Sequence, residues 1–140
     1  MIFRQRTRIY LGVAFGGAVG SLARYGTTVG SALLLGPAFP WGTLLVNLLG
    51  SCLIGFYFTL TEPEGRMLAS PPLRQLVLAG FCGGFTTFSL FSLEAVMLIE
   101  RSRWAAAAIY VVSSAILWLV AVWLGHALAL RMNRLPWRRG

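Results

Sequence analysis

The chain has 140 residues, 57% of them apolar and 11% charged, and a formal net charge of +8. About a quarter of the residues in a soluble domain are charged, so this composition excludes an ordinary soluble fold and calls for apolar solvent around the chain. All 12 basic residues are arginine, and most stand at the ends of apolar runs. That placement speaks for anionic lipid headgroups and against a nucleic-acid partner.

Four apolar segments follow one another, at residues 9–35, 41–60, 73–99 and 104–130. Each meets the roughly 20 residues that cross about 30 Å of hydrocarbon. The expectation is an all-α membrane protein of four transmembrane helices forming a single domain over residues 1–140. The first run is too long for the core of a signal peptide, and nothing is expected to be cleaved.

In the first segment Gly12, Gly16 and Gly20 form a ridge at spacing four, with Gly17 and Ser21 beside it. Small residues let helices approach in lipid, either within one subunit or across a dimer interface. Arg24 lies deep in the same run, where a charge costs about 2.5–3.5 kcal/mol to insert. It reads as an anion attractor or a fixed charge tying helices together, or as a snorkelling side chain if the helix ends near Thr27 and Thr28. Gly36, Pro37 and Pro40 then mark a turn.

The second segment carries Asn47, whose amide must face another helix or water; it serves either as interhelical glue or as a donor to an anion. Gly50 and Gly55 thin the same helix. A polar, proline-containing loop from Glu62 to Pro72 leads to the third segment.

That segment contains GFCGGFTTFSLFS from Gly80 to Ser92. Gly83 and Gly84 followed by Thr86 and Thr87 weaken a helix, and a break is tolerable at membrane depth only where the freed backbone is buried or lines a cavity. The third helix is therefore expected to break near mid-membrane and to offer an ion site, since unwound carbonyls suit cations. Phe85, Phe88 and Phe91 follow at spacing three. Such a stripe faces lipid, or presents positive ring edges to a small anion. Glu94 reads as a vestibule or proton-linked residue.

In the fourth segment Tyr110 and Ser114 share a helix face and offer hydroxyl donors. His126 lies near the end of the run, where its tip reaches the interface. Trp41, Trp104 and Trp137 sit at segment edges as interfacial anchors. Cys52 and Cys82 lie inside apolar runs and read as buried thiols. Nine arginines (Arg4, Arg6, Arg8, Arg66, Arg74, Arg131, Arg134, Arg138 and Arg139) fall on the side of the termini, against Arg101 and Arg103 opposite. The bias favours cytoplasmic termini. Cys, His and Glu are too sparse and scattered for a catalytic site, so no enzyme is expected.

The phrases GGFTTFSLF at Gly83 to Phe91, WGTLLVNLLG at Trp41 to Gly50 and GSLARY at Gly20 to Tyr25, with Tyr110 and Ser114, resemble the Fluc-type fluoride ion channels of microbes in order and spacing. The resemblance covers nearly the whole chain. It implies an antiparallel, dual-topology homodimer in the cell inner membrane, with two pores and a structural sodium ion between the broken third helices. Gly83 and Thr86 would give sodium their backbone carbonyls. Asn47, Phe88, Phe91, Tyr110 and Ser114 would line the fluoride path, with Arg24 and Glu94 near the vestibules.

Two features depart from that pattern. Leu90 stands where the family usually has threonine, and the arginine bias suits one orientation better than two, which admits pairing with an oppositely inserted relative. A different class, the proton-coupled small multidrug exporters, also uses four helices. It needs a carboxylate in the first helix, and residues 9–35 have none.

Overall fold

The computed structural model describes residues 2–134. Trp137, Arg138 and Arg139 lie outside the described residues. Those that are described form helices joined by short turns, with no strand among them. Helix α1 is Ile2–Leu35, α2 is Trp41–Leu60, α3 comprises residues 71–85, α4 is Ser89–Glu100 and α5 is Trp104–Arg134.

Three stretches are long and apolar enough to cross a membrane: Trp41–Leu60, Pro71–Glu100 and Trp104–Arg134. Helix α1 is longer than any of them but less apolar, because its glycines, Arg24 and the paired threonines dilute the run. Helices α1 and α5 both continue beyond the apolar segments into arginine-bearing turns. Hydropathy marks where hydrocarbon ends, whereas backbone hydrogen bonding continues into the headgroup region.

Two glycine seams hold the bundle together. On the first, α1 lies so close to α3 that a Cβ at Gly16 would press into the Leu76 carbonyl, one at Gly20 into the Phe81 carbonyl, and one at Gly84 into the Gly17 carbonyl. On the second, a Cβ at Gly55 would meet the Val122 carbonyl and one at Gly125 the Cys52 carbonyl. Gly16 and Gly20 are buried within the subunit, so the ridge read from the sequence serves intramolecular packing.

Along this seam residues Leu76–Cys82 are wound as a π-helix. Such wide turns are rare and frequently mark functional sites. Gly84→Ala is expected to lower the thermal stability of detergent-solubilised protein by about 1–3 kcal/mol. Gly30→Ala, whose Cβ meets open space, serves as the control and leaves the unfolding midpoint unchanged.

Turns close the ends with little chain. Gly36 ends α1 at φ +80 with its N–H on the Ala32 carbonyl at 3.0 Å, a conformation that suits glycine. The turn after α4 takes Ser102 to φ 56 and returns the Arg103 N–H to the Leu98 carbonyl at 2.9 Å. Arg103 also donates from its guanidinium to the Ala38 carbonyl at 2.6 Å, tying this turn to the loop before α2.

Candidate functional site

Residues 86–88 interrupt the third span. Gly83 and Gly84 are still helical; the chain leaves the helix at Thr86, which adopts φ −83 and ψ 161. Thr86 ends α3 by folding back, since its N–H and its hydroxyl both donate to the Cys82 carbonyl, at 2.9 and 2.8 Å. Gly84 serves close approach to α1, Gly83 faces open space, and the threonines make the break.

Asn47 holds the break from α2. Its amide nitrogen donates to the Thr87 carbonyl at 2.8 Å, and its amide oxygen accepts the Thr87 N–H at 2.7 Å. Asn47 is 5% exposed and Thr87 is 7% exposed, so both partners satisfy groups that hydrocarbon would leave bare. Thr87 also caps α4, its hydroxyl accepting the Leu90 N–H at 3.2 Å.

These two diversions free specific carbonyls. In a continuous helix the Gly83 carbonyl would accept the Thr87 N–H and the Thr86 carbonyl the Leu90 N–H. Thr87 gives its N–H to Asn47, and Leu90 gives its own to the Thr87 hydroxyl. Arg24 reaches across from α1, donating from Nη1 to the Thr86 carbonyl at 3.3 Å. The guanidinium is thus interhelical glue at the break, and α1 continues well past Thr27 and Thr28.

Beyond the break, Phe88 and Phe91 have ring centroids 5.6 Å apart. Phe91 is buried and packs against Tyr110 at 5.2 Å and edge-on against Trp118 at 4.8 Å, whereas Phe88 is 72% exposed and points out of the subunit. Tyr110 and Ser114 are fully buried on α5. The Tyr110 hydroxyl donates to Glu94 Oε2 at 2.8 Å and the Thr43 hydroxyl to Glu94 Oε1 at 2.9 Å, so one carboxylate gathers hydroxyls from two helices. The Ser114 hydroxyl and the Trp118 indole N–H are buried with no partner among the described residues.

The geometry joins most of the residues singled out from the sequence. Gly83, Thr86, Asn47 and Arg24 meet at the break, while Phe91, Tyr110, Ser114 and Glu94 line the region between α4 and α5. Thr43 and Trp118 join them without having been singled out. Thr43 lies four positions before Asn47 and Trp118 four after Ser114, so helical spacing alone puts them on the same faces. His126 accepts or donates at Nδ1 with the Thr59 hydroxyl at 2.7 Å. Among the described residues no group of His, Cys, Asp and Glu is arranged to hold a metal.

Fold and site together define a helical membrane protein built around an interrupted span. Residues 11–126 match the family described as CrcB-like protein, Camphor Resistance (CrcB), and the chain belongs to it. It is 55% identical to a protein of Bradyrhizobium diazoefficiens named Fluoride-specific ion channel FluC 1, over 91% of this chain and 88% of that one. A Rhodopseudomonas palustris protein of the same name is 49% identical over 94% of each chain. Fluoride-specific ion channel FluC of Opitutus terrae is 50% identical over 91% of this chain and 96% of its own. The family is one of channels and the chain is not an enzyme.

Proposed function

We propose that the chain is a subunit of a fluoride-selective channel that lets fluoride leave the cell passively and so relieves its toxicity. The observation that carries this is the similarity, at about half of all positions over nearly the whole chain, to relatives named for that activity. The site supplies the chemistry. Fluoride is small and strongly hydrated, so a pore must replace its water with donors and positive ring edges, none of them binding tightly enough to trap it. Phe88, Phe91, the Ser114 hydroxyl and the Trp118 indole N–H are such groups, the two donors being buried without a protein partner, and the Tyr110 hydroxyl would join them on release from Glu94. No coupled ion and no covalent step is needed.

The working unit in this reading is an antiparallel dimer with two pores in the inner membrane, each subunit crossing four times with α1 as the fourth span. Dimerisation is supported by the break itself. Gly83, Phe88 and Ser89 are exposed on one subunit, yet unwound backbone at membrane depth is tolerated only when protein covers it or water reaches it. A second copy, or an oppositely inserted relative, would cover it.

The same interface would hold a structural sodium ion. Gly83 and Thr86 fit that role, because their carbonyls have lost their helical N–H partners and a hard cation prefers oxygen donors. The Thr86 carbonyl also accepts from the Arg24 guanidinium at 3.3 Å, so a sodium ion there would share that oxygen with a fixed positive charge. Sodium there would supply fixed charge and tie the two breaks together.

Ion efflux from liposomes tests the reading, with fluoride followed by electrode, chloride in parallel and a potassium ionophore to clamp the voltage. The expected result is fast fluoride release with negligible chloride release. Release of neither ion from folded, dimeric protein overturns it.

A further inference from the structure

We propose that the cavity at the end of the bundle opposite the termini is an anion-collecting mouth, with Arg101 as the charge that draws a small anion into it. The proposal rests on the fluoride-channel reading above. The cavity has a volume of about 400 Å³ and lies between the end of α1, the 36–40 loop, the start of α2 and the end of α4. Thr28 and Ser31 line one wall, Glu94 lies in its lining, and Arg101 and Arg103 stand beside it.

Charge makes this cavity distinctive. Glu94 alone would repel an approaching anion. Arg101 and Arg103 are both among the residues that line the same space, and Glu100, the acidic neighbour of Arg101, is not. The two arginines have different tasks. Arg103 is committed to the Ala38 carbonyl at 2.6 Å and holds the loop that forms the wall. Arg101 is exposed; its backbone N–H donates to the Met97 carbonyl at 3.2 Å, whereas its side chain makes no hydrogen bond or ion pair with any described residue, so its charge is free to act on the cavity mouth.

The sequence context points the same way. The chain keeps its other terminal arginines on the opposite end of the bundle, where the orientation rule favours them. The two that run against the bias both border this one cavity. A charged cleft with low-dielectric walls concentrates counter-ions and raises entry rates by about tenfold or more, an effect that salt screens.

The test is fluoride efflux from liposomes carrying wild type, Arg101→Gln, Arg101→Glu or Arg101→Lys. Each is measured at about 10 mM ionic strength, where the Debye length is about 30 Å, and again near 1 M, where it is about 3 Å. At low ionic strength Arg101→Glu is expected to pass fluoride about 3- to 10-fold more slowly than wild type, with Arg101→Gln between them and Arg101→Lys close to wild type. Near 1 M the four should converge, with fluoride-over-chloride selectivity unchanged throughout. Equal rates at low ionic strength in a conducting wild type would overturn the mouth while leaving the channel reading intact. So would a deficit in Arg101→Glu that persists unscreened near 1 M. A wild type that passes no fluoride overturns both.

Discussion

Asn47→Ala is expected to abolish fluoride efflux and to lower the stability of the subunit by about 2–4 kcal/mol, because the substitution leaves two buried backbone groups without partners. The Thr87 N–H and the Thr87 carbonyl both bond to the Asn47 side chain, at 2.7 and 2.8 Å. Each unsatisfied group costs about 1–3 kcal/mol in a protein interior. The low dielectric of a membrane bundle gives no relief, since water has no easy route to either atom.

The chain has a way out of this penalty: residues 86–88 can rewind, returning the Thr87 N–H to the Gly83 carbonyl. A rewound helix would reclaim the carbonyl proposed to hold sodium and would turn Phe88 and Phe91 to new bearings. The loss of function should therefore exceed what the loss of stability alone explains. Asn47→Asp keeps an acceptor for the Thr87 N–H and loses the donor to the Thr87 carbonyl. It should sit between wild type and alanine in thermal unfolding of detergent-solubilised protein. An Asn47→Ala protein that conducts like wild type would show that the break is held from elsewhere.

The same pair of residues shows what could be read in advance. Asn47 stood out because an amide in an apolar run needs a partner, and the break stood out because glycine and threonine pairs weaken helices. The link between them could not be read, since 40 positions separate Asn47 from Thr87 and only the packing of α2 beside the break joins them. Thr43 was overlooked for a related reason. A threonine in a membrane helix can bond its own backbone and so raises no alarm, yet its hydroxyl serves Glu94, 51 positions away.

The π-helical turn at Leu76–Cys82 carries no local signature either. It accompanies the close approach of α1 through Gly16 and Gly20, a contact that belongs to two elements and not to either sequence alone. Nothing in the sequence around Trp118 marks it. Only its edge-on contact with Phe91 and its buried, unpartnered N–H set it apart from the tryptophans at the segment ends. Arg24 was legible as a problem and not as a solution: its cost was evident from depth, but the Thr86 carbonyl that receives it was not.

The two phenylalanines separate packing from conduction, because the subunit buries one and exposes the other. Phe91 is 8% exposed and wedged against Tyr110 and Trp118, so Phe91→Ile is expected to cost about 1–3 kcal/mol in lost ring contacts. Phe88 is 72% exposed and contacts little beyond Phe91, so Phe88→Ile should change subunit stability by no more than about 0.5 kcal/mol. If rings only filled space, fluoride efflux would follow this order and Phe88→Ile would conduct normally. If both rings present positive edges to the passing anion, isoleucine removes that edge at either position. Both variants should then lose about tenfold or more of their fluoride flux while the dimer stays assembled. Efflux measured beside size-exclusion profiles decides between these outcomes. Undiminished flux in both variants would remove the rings from the mechanism and leave the hydroxyls and the indole of α5 as the groups that replace fluoride's water.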